Sequence, residues 1–185
     1  MMRILKYERF TESVLLRLSD NVDYEMVSKI ESLVDPPTKI LEISCGNGAD
    51  SIYLKKRGYD VTCTDNNLDY VENAERNGLK SVIHDTSEPF PFEDESFDLI
   101  YSRLGLHYFT EEVLDRIFSE LKRMTKKYLV FSVKTLNDIQ TGKIILTPDK
   151  WREIVKRHFD VLSFEEKSGM LYDNPSQWIE ITAEK

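Results

Sequence analysis

The chain has 185 residues, 41% of them apolar, with 25 basic and 33 acidic side chains for a formal charge of −8. At roughly 150 residues per domain this is one domain with a short extension, and the apolar share is enough for a core, which excludes disorder as the dominant state. The acidic surplus opposes a phosphate backbone, whose binding draws on counterion release by lysine and arginine, so no nucleic-acid partner is expected.

Cys45 and Cys63 are too few for a disulfide framework or a four-thiolate zinc site. His84 and His158 lack ligand spacing with acidic or thiol neighbours, so no metal site is expected. Arg3, Lys6, Arg9, Glu12 and Arg17 interrupt the N-terminus, and no stretch approaches the ~18 apolar residues of a membrane span. A cytoplasmic protein without membrane contact is the expectation.

In chain order, Phe10, Val14, Leu15 and Leu18 predict a first amphipathic helix. Val22, Met26, Val27, Ile30, Leu33 and Val34 predict a second, capped by Asp23 and stopped by Pro36 and Pro37. Residues 1–37 are thus read as a helical cap before the main unit, 38–185. From Lys39 short apolar runs alternate with helices. Ile40–Ile43, Tyr59–Thr64, Leu79–His84, Phe97–Tyr101 and Tyr128–Val133 read as strands. Ala49–Arg57 reads as a helix closed by Gly58, and Leu68–Arg76 as a second closed by Asn77-Gly78. A third begins at the cap Thr110 and runs to about Met124. Alternation of this kind predicts an α/β fold, a doubly wound parallel sheet covered on both faces. Thr147-Pro148 opens a short helix. The two last strands, Phe159–Glu166 and Gln177–Thr182, are separated by too few residues for a helical crossover and are expected to pair antiparallel.

Ligands of such sheets bind beyond the carboxyl ends of the strands. There the first strand leads into Gly46-Asn47-Gly48, where glycine lets the backbone turn sharply and approach a ligand. Asp65 ends the second strand, where a carboxylate can accept both hydroxyl hydrogens of a ribose. The same Asp65-Asn66-Asn67 can also cap the next helix, and the two roles are compatible. Together these features indicate adenosine. The dinucleotide pattern G-x-G-x-x-G is incomplete, since Ser51 holds its third position. Glu42, inside the first strand, would disfavour a pyrophosphate and favour a cofactor with an amino group and a sulfonium.

The stretch Ile40-Leu41-Glu42-Ile43-Ser44-Cys45-Gly46-Asn47-Gly48, followed by Asp65, Asp85 and the segment Pro89–Ile100, resembles the class I S-adenosylmethionine-dependent methyltransferases. The small-molecule type is nearest, with a weaker similarity to the tellurite-resistance type, over about residues 38–135. The resemblance implies a seven-stranded sheet with an antiparallel C-terminal hairpin, S-adenosyl-L-methionine as cofactor and S-adenosyl-L-homocysteine as product. It implies that Glu42, Ser44, Cys45, Gly46, Asn47 and Gly48 form the turn beneath the cofactor. Asp65 would hold the ribose, Asn66 would lie along the adenine, and Asp85 with Thr86 would contact its amino edge. Ser102 would sit near the reacting end. The bland readings are a turn before Pro89 for Asp85 and Thr86, and a cap for Ser102. Ser44 stands where the family usually has glycine and would be strained in a left-handed conformation.

For catalysis, His107 is the candidate base, set against a structural hydrogen-bonding role, and Arg103 the candidate receptor for an anionic substrate, set against a solvated arginine or one that pairs with the cofactor's carboxylate. Tyr108 and Phe109 are candidate walls for the sulfonium or ordinary core. The N-terminal helices, with Tyr7 and Phe10, are candidates for a lid over the site. The little chain left for recognition points to a small-molecule acceptor, in a monomer or homodimer. A non-catalytic S-adenosylmethionine-binding regulatory protein is the alternative, and a nicotinamide oxidoreductase the third reading.

Overall fold

A computed structural model describes residues 21–135, 146–171 and 174–185. The first expected helix, with Tyr7 and Phe10, lies outside the described residues, as does most of the loop after residue 134. Helix α1 (Tyr24–Leu33) has Asp23 at its N-cap, whose side chain accepts from the Met26 amide. Then follow β1 (Lys39–Ile43), α2 (Ala49–Lys56), β2 (Asp60–Asp65), α3 (Leu68–Arg76), β3 (Lys80–Ile83) and β4 (Phe97–Arg103). A single 3-10 turn (Leu106–Tyr108) leads to α4 (Glu111–Met124), β5 (Thr125–Lys134), α5 (Pro148–Lys156), β6 (Asp160–Leu171) and β7 (Asn174–Glu184).

The strands form one seven-stranded sheet in the order β3-β2-β1-β4-β5-β7-β6. The first five run parallel, and β7 pairs antiparallel with both β5 and β6. Successive strand residues point to opposite faces, and the sequence uses both. Ile40, Leu99, Tyr101 and Val130 face a cluster with Met26, Val27 and Ile30 of α1, Leu54 of α2 and Ala74 of α3. Their neighbours Leu41, Ile100, Leu129 and Phe131 face Leu114, Ile117, Phe118 and Leu121 of α4 and Trp151, Ile154 and Val155 of α5. Each such side chain contributes roughly 1.5–3 kcal/mol on burial, so the two layers hold the sheet between them. Helix α1 is one of those layers, because its apolar stripe is fully buried in the same cluster as β1.

The final hairpin is longer than expected. Its register continues past Glu166 through Lys167↔Trp178 and Gly169↔Ser176. These edge residues are mostly polar, so no apolar alternation marked them as strand. Lys29 of α1 reaches Glu165 at 2.7 Å and Glu180 at 3.3 Å, and Lys167 reaches Glu180 at 2.8 Å and also Glu25. The network fastens α1 to the hairpin. Glu25, Glu165 and Glu180 bring carboxylate oxygens together as a metal site does, but the two lysine ammoniums already supply the positive charge among them.

Candidate cofactor site

The turn leaving β1 is left-handed three times, at Ser44 (φ 54°), Gly46 (φ 54°) and Gly48 (φ 71°). Glycine takes that conformation freely and serine does not, so Ser44 carries the strain that its departure from the family pattern foretold. The turn is strapped to its neighbours. The Cys45 amide donates to the Thr64 carbonyl at 2.9 Å, and Asn73 Nδ2 donates to the Asn47 carbonyl at 3.1 Å. Asp65 Oδ2 accepts from the Gly46 amide and Oδ1 from the Asn67 amide, both at 2.9 Å. Burial raises the Asp65 pKa, and the backbone donors of Asn67 and Gly46 work against that rise. A carboxylate offers about four lone-pair directions, so Asp65 keeps acceptor capacity for a ligand beside the backbone amides that hold it. A Cβ placed on Gly46 would meet nothing within 4 Å. The turn therefore presents an open backbone face beside a buried carboxylate.

Beneath it lies a second acidic layer. Glu42 is 3% exposed, accepts from the Ser51 hydroxyl, and Ser51 Oγ is 3.3 Å from the Tyr101 hydroxyl. Burial first, and Asp50 second, push the Glu42 carboxyl up to about 8. Asp50, in the first turn of α2, accepts from the Asp23 amide at 2.8 Å; burial raises it to about 6 against the pull of Arg103. Burial also holds the Tyr101 hydroxyl well above its usual pKa, with the charge of Glu42 adding to the effect. Asp50 escaped the sequence reading, as did the joining of Ser51 and Tyr101 to Glu42. An acidic residue in the first turn after the glycines was the available signal, since a helix N-terminus favours negative charge.

The candidate residues distribute unevenly. Glu42, Ser44, Cys45, Gly46, Asn47, Gly48 and Asp65 form one continuous structure. Thr86 joins it, buried, with Oγ1 3.1 Å from Ser44 Oγ. Ser102 is fully buried, and its hydroxyl has no hydrogen-bond partner among the described residues. Asn66 and Asp85 are exposed. Asp85 Oδ1 accepts from the Ser87 amide at 2.9 Å and from the Ser87 hydroxyl at 2.7 Å, which makes the turn that was its bland reading. Arg103 reaches inward: Nη1 donates to the Asn21 carbonyl at 3.0 Å and lies 3.2 Å from Asp50 Oδ2. It thus ties the entry to α1 to the start of α2. His107 is 1% exposed, and its Nδ1 accepts from the Lys134 amide at 3.5 Å. With Nδ1 accepting, the neutral ring carries its proton on Nε2. Tyr108 stands 56% exposed beside it, and Phe109 packs half-buried against the α4–α5 layer.

No described helix is long and apolar enough to cross a membrane. A family model for a methyltransferase domain matches residues 40–128. An uncharacterized methyltransferase of Synechocystis is 28% identical over 105 residues, 56% of this chain and 50% of its own length. A probable S-adenosyl-L-methionine-dependent methyltransferase TehB of Haemophilus influenzae is 28% identical over 95 residues, 48% of this chain and 32% of its own. The matches therefore span half or less of these two relatives. Among solved structures, TehB from Haemophilus influenzae superposes with a TM-score of 0.74 at 21% identity, over 88% of this chain and 62% of that one. An S-adenosylmethionine-dependent methyltransferase of Methanosarcina mazei gives 0.73 at 21% identity, over 85% and 96%. At such identity the superpositions speak for the fold. With Glu42, the glycine turn and Asp65 in order on that fold, residues 40–128 carry a methyltransferase domain, similar to that of the S-adenosylmethionine-dependent methyltransferases.

Proposed function

We propose that the protein transfers the methyl group of S-adenosylmethionine to a small-molecule acceptor. The observation that carries this reading is Asp65, a buried strand-end carboxylate braced by two backbone amides beside the open face of Gly46. When bound, the cofactor supplies a methyl group already activated on positive sulfur. The chain's task is then to bind, orient and exclude water. Asp65 accepts the ribose hydroxyls. Glu42 and Asp50 place two buried carboxyl groups under the turn, and a cationic ligand, unlike an anionic one, would favour their ionised forms. Asn66, Asp85 and Thr86 line the adenine side, and the Ser102 hydroxyl faces the reacting end.

On the acceptor side, Tyr108 and Phe109 offer aromatic surface suited to a compact acceptor with an apolar body. Arg103 positions the turn through Asp50, and its engagement there argues against a role as anion receptor. His107 has Nδ1 within 3.5 Å of the Lys134 amide, and its buried Nε2 meets no hydrogen-bond partner among the described residues. A base role would require the other tautomer. A second reading is a protein that binds the same cofactor without transferring its methyl group; the fold is shared by the [4+2]-cyclase SpnF, TM-score 0.73 at 17% identity. That protein's name gives the fold a chemistry other than methyl transfer. The two readings separate on incubation with methyl-labelled S-adenosylmethionine and a panel of thiol, amine, hydroxyl and carboxylate acceptors. Labelled product with release of S-adenosylhomocysteine is expected. Tight binding without transfer to any acceptor favours the second reading.

A further inference from the structure

Gly105, in the loop after β4, is small for want of space, since its φ of −93° suits any residue. A Cβ built there would lie 2.6 Å from Ser44 Cβ, 2.8 Å from Ser102 Oγ and 3.0 Å from Ser44 Oγ. A serine hydroxyl can rotate away from such a contact. A Cβ fixed to a braced, left-handed backbone cannot. Ser44 is braced by its hydroxyl contact to Thr86 and by the Cys45 amide on Thr64. The opposing loop is braced too: Leu104 is left-handed (φ 55°), and its amide donates to the Ser132 carbonyl at 2.9 Å. Strained non-glycine residues thus stand on both sides of one tight contact, and such conformations persist only where the surroundings over-determine them. The contact lies between the carboxyl ends of β1 and β4, where the strand order reverses; in sheets of this architecture the crevice at that point binds ligands.

We propose that Ser44 and Gly105 are a size-matched pair that sets the width of this crevice, with Gly105 a positioning residue for the reacting end of the cofactor. The inference rests on the cofactor reading above. A methyl group added at position 105 must displace the turn, and with it the Gly46 amide from Asp65. Removing the Ser44 side chain makes the room back.

The test is a cycle of the wild type, Gly105→Ala, Ser44→Gly and the double variant, titrated with S-adenosylhomocysteine and followed by circular dichroism and thermal melting. Gly105→Ala should weaken binding by about tenfold or more, the scale of overpacking at one contact. Ser44→Gly sets its own reference, and the double variant should bind within about threefold of Ser44→Gly, the loss from Gly105→Ala being relieved once the opposing Cβ is gone. Wild-type affinity in Gly105→Ala, or a loss from Gly105→Ala as large beside Ser44→Gly as in the wild type, overturns the pairing. Should Gly105→Ala fail to fold, a folded, binding double variant supports the pairing and an unfolded one overturns it. Should the wild type itself bind no S-adenosylhomocysteine, the cofactor reading fails separately. The pairing is then decided by the melts, where rescue of Gly105→Ala by Ser44→Gly supports it and additive losses overturn it.

Discussion

The carboxyl ends of β1 and β2 and the loop after β4 meet where the strand order reverses but are built in different ways. On the β1–β2 side the functional carboxylate is fixed by backbone amides of the adjoining turn, Gly46 and Asn67, and keeps lone pairs for a ligand. On the β4 side the polar groups reach across the molecule, Arg103 to Asn21 and Asp50, and His107 to the Lys134 amide. On the proposed reading the first arrangement is a binding surface made ready in advance. The second is a set of long-range contacts, and on the reading proposed above Arg103 and His107 act there as positioning groups.

The largest effect that would break this contrast concerns Arg103. Its side chain is 15% exposed and its partner Asp50 only 1%. Arg103→Met should therefore lower the unfolding free energy by about 3 kcal/mol at pH 8, because it strands a buried carboxylate. Adding Asp50→Asn should recover most of the loss in urea titrations. A stable Arg103→Met protein with wild-type cofactor binding would return Arg103 to the list of candidate substrate contacts. Next in size, Asp65→Ala should weaken S-adenosylhomocysteine binding by about 10–100-fold, the scale of a hydrogen bond to a charged group. A change below about threefold would remove the β1–β2 side from the binding surface.

A third prediction uses pH. Folded Glu42 keeps its proton up to about pH 8, whereas the unfolded side chain releases it near 4.5. Between those values the folded state binds the extra proton, so stability falls as pH rises and levels off above the window. Asp50, raised to about 6, shares only the lower part of this window. Glu42→Gln should thus flatten the decline between pH 6 and 8 in denaturant titrations. A bound cation favours the carboxylate, so cofactor affinity should strengthen over the same range with release of a proton. The smallest effect is expected at His107. His107→Gln should lower kcat by less than about tenfold, against the 10²–10⁴-fold expected of a lost general base. A larger loss, accompanied by disappearance of an ionisation near neutrality from the pH–rate profile, would restore the base role.

Much of the fold could be read in the residues because its rules are local. Leu41 and Ile40, or Leu99 and Ile100, alternate between two covered faces, and Asp23, Asn67, Thr110 and Thr147 cap helices through their own side chains. The hairpin past Glu166 was not legible, since an edge strand pairs by backbone and leaves polar residues such as Lys167 and Ser168 without a pattern. In the site, Glu42, the glycine turn and Asp65 stood out through short spacing on successive strands. Asp50 with Arg103, and Ser44 against Gly105, join residues far apart in the chain, and only the folded crevice brings them together. Ser44 was visible as a departure from a family pattern. The left-handed angle and the missing Cβ opposite it give that departure a physical cost and a compensation.

Titration calorimetry of the wild-type protein with S-adenosylhomocysteine tests the central claim most directly. Saturable binding at one site per chain, weakened at least tenfold by Asp65→Ala, is predicted on the scale of a charged hydrogen bond, about 1.4 kcal/mol or more. No detectable binding at millimolar ligand by a folded protein would contradict it.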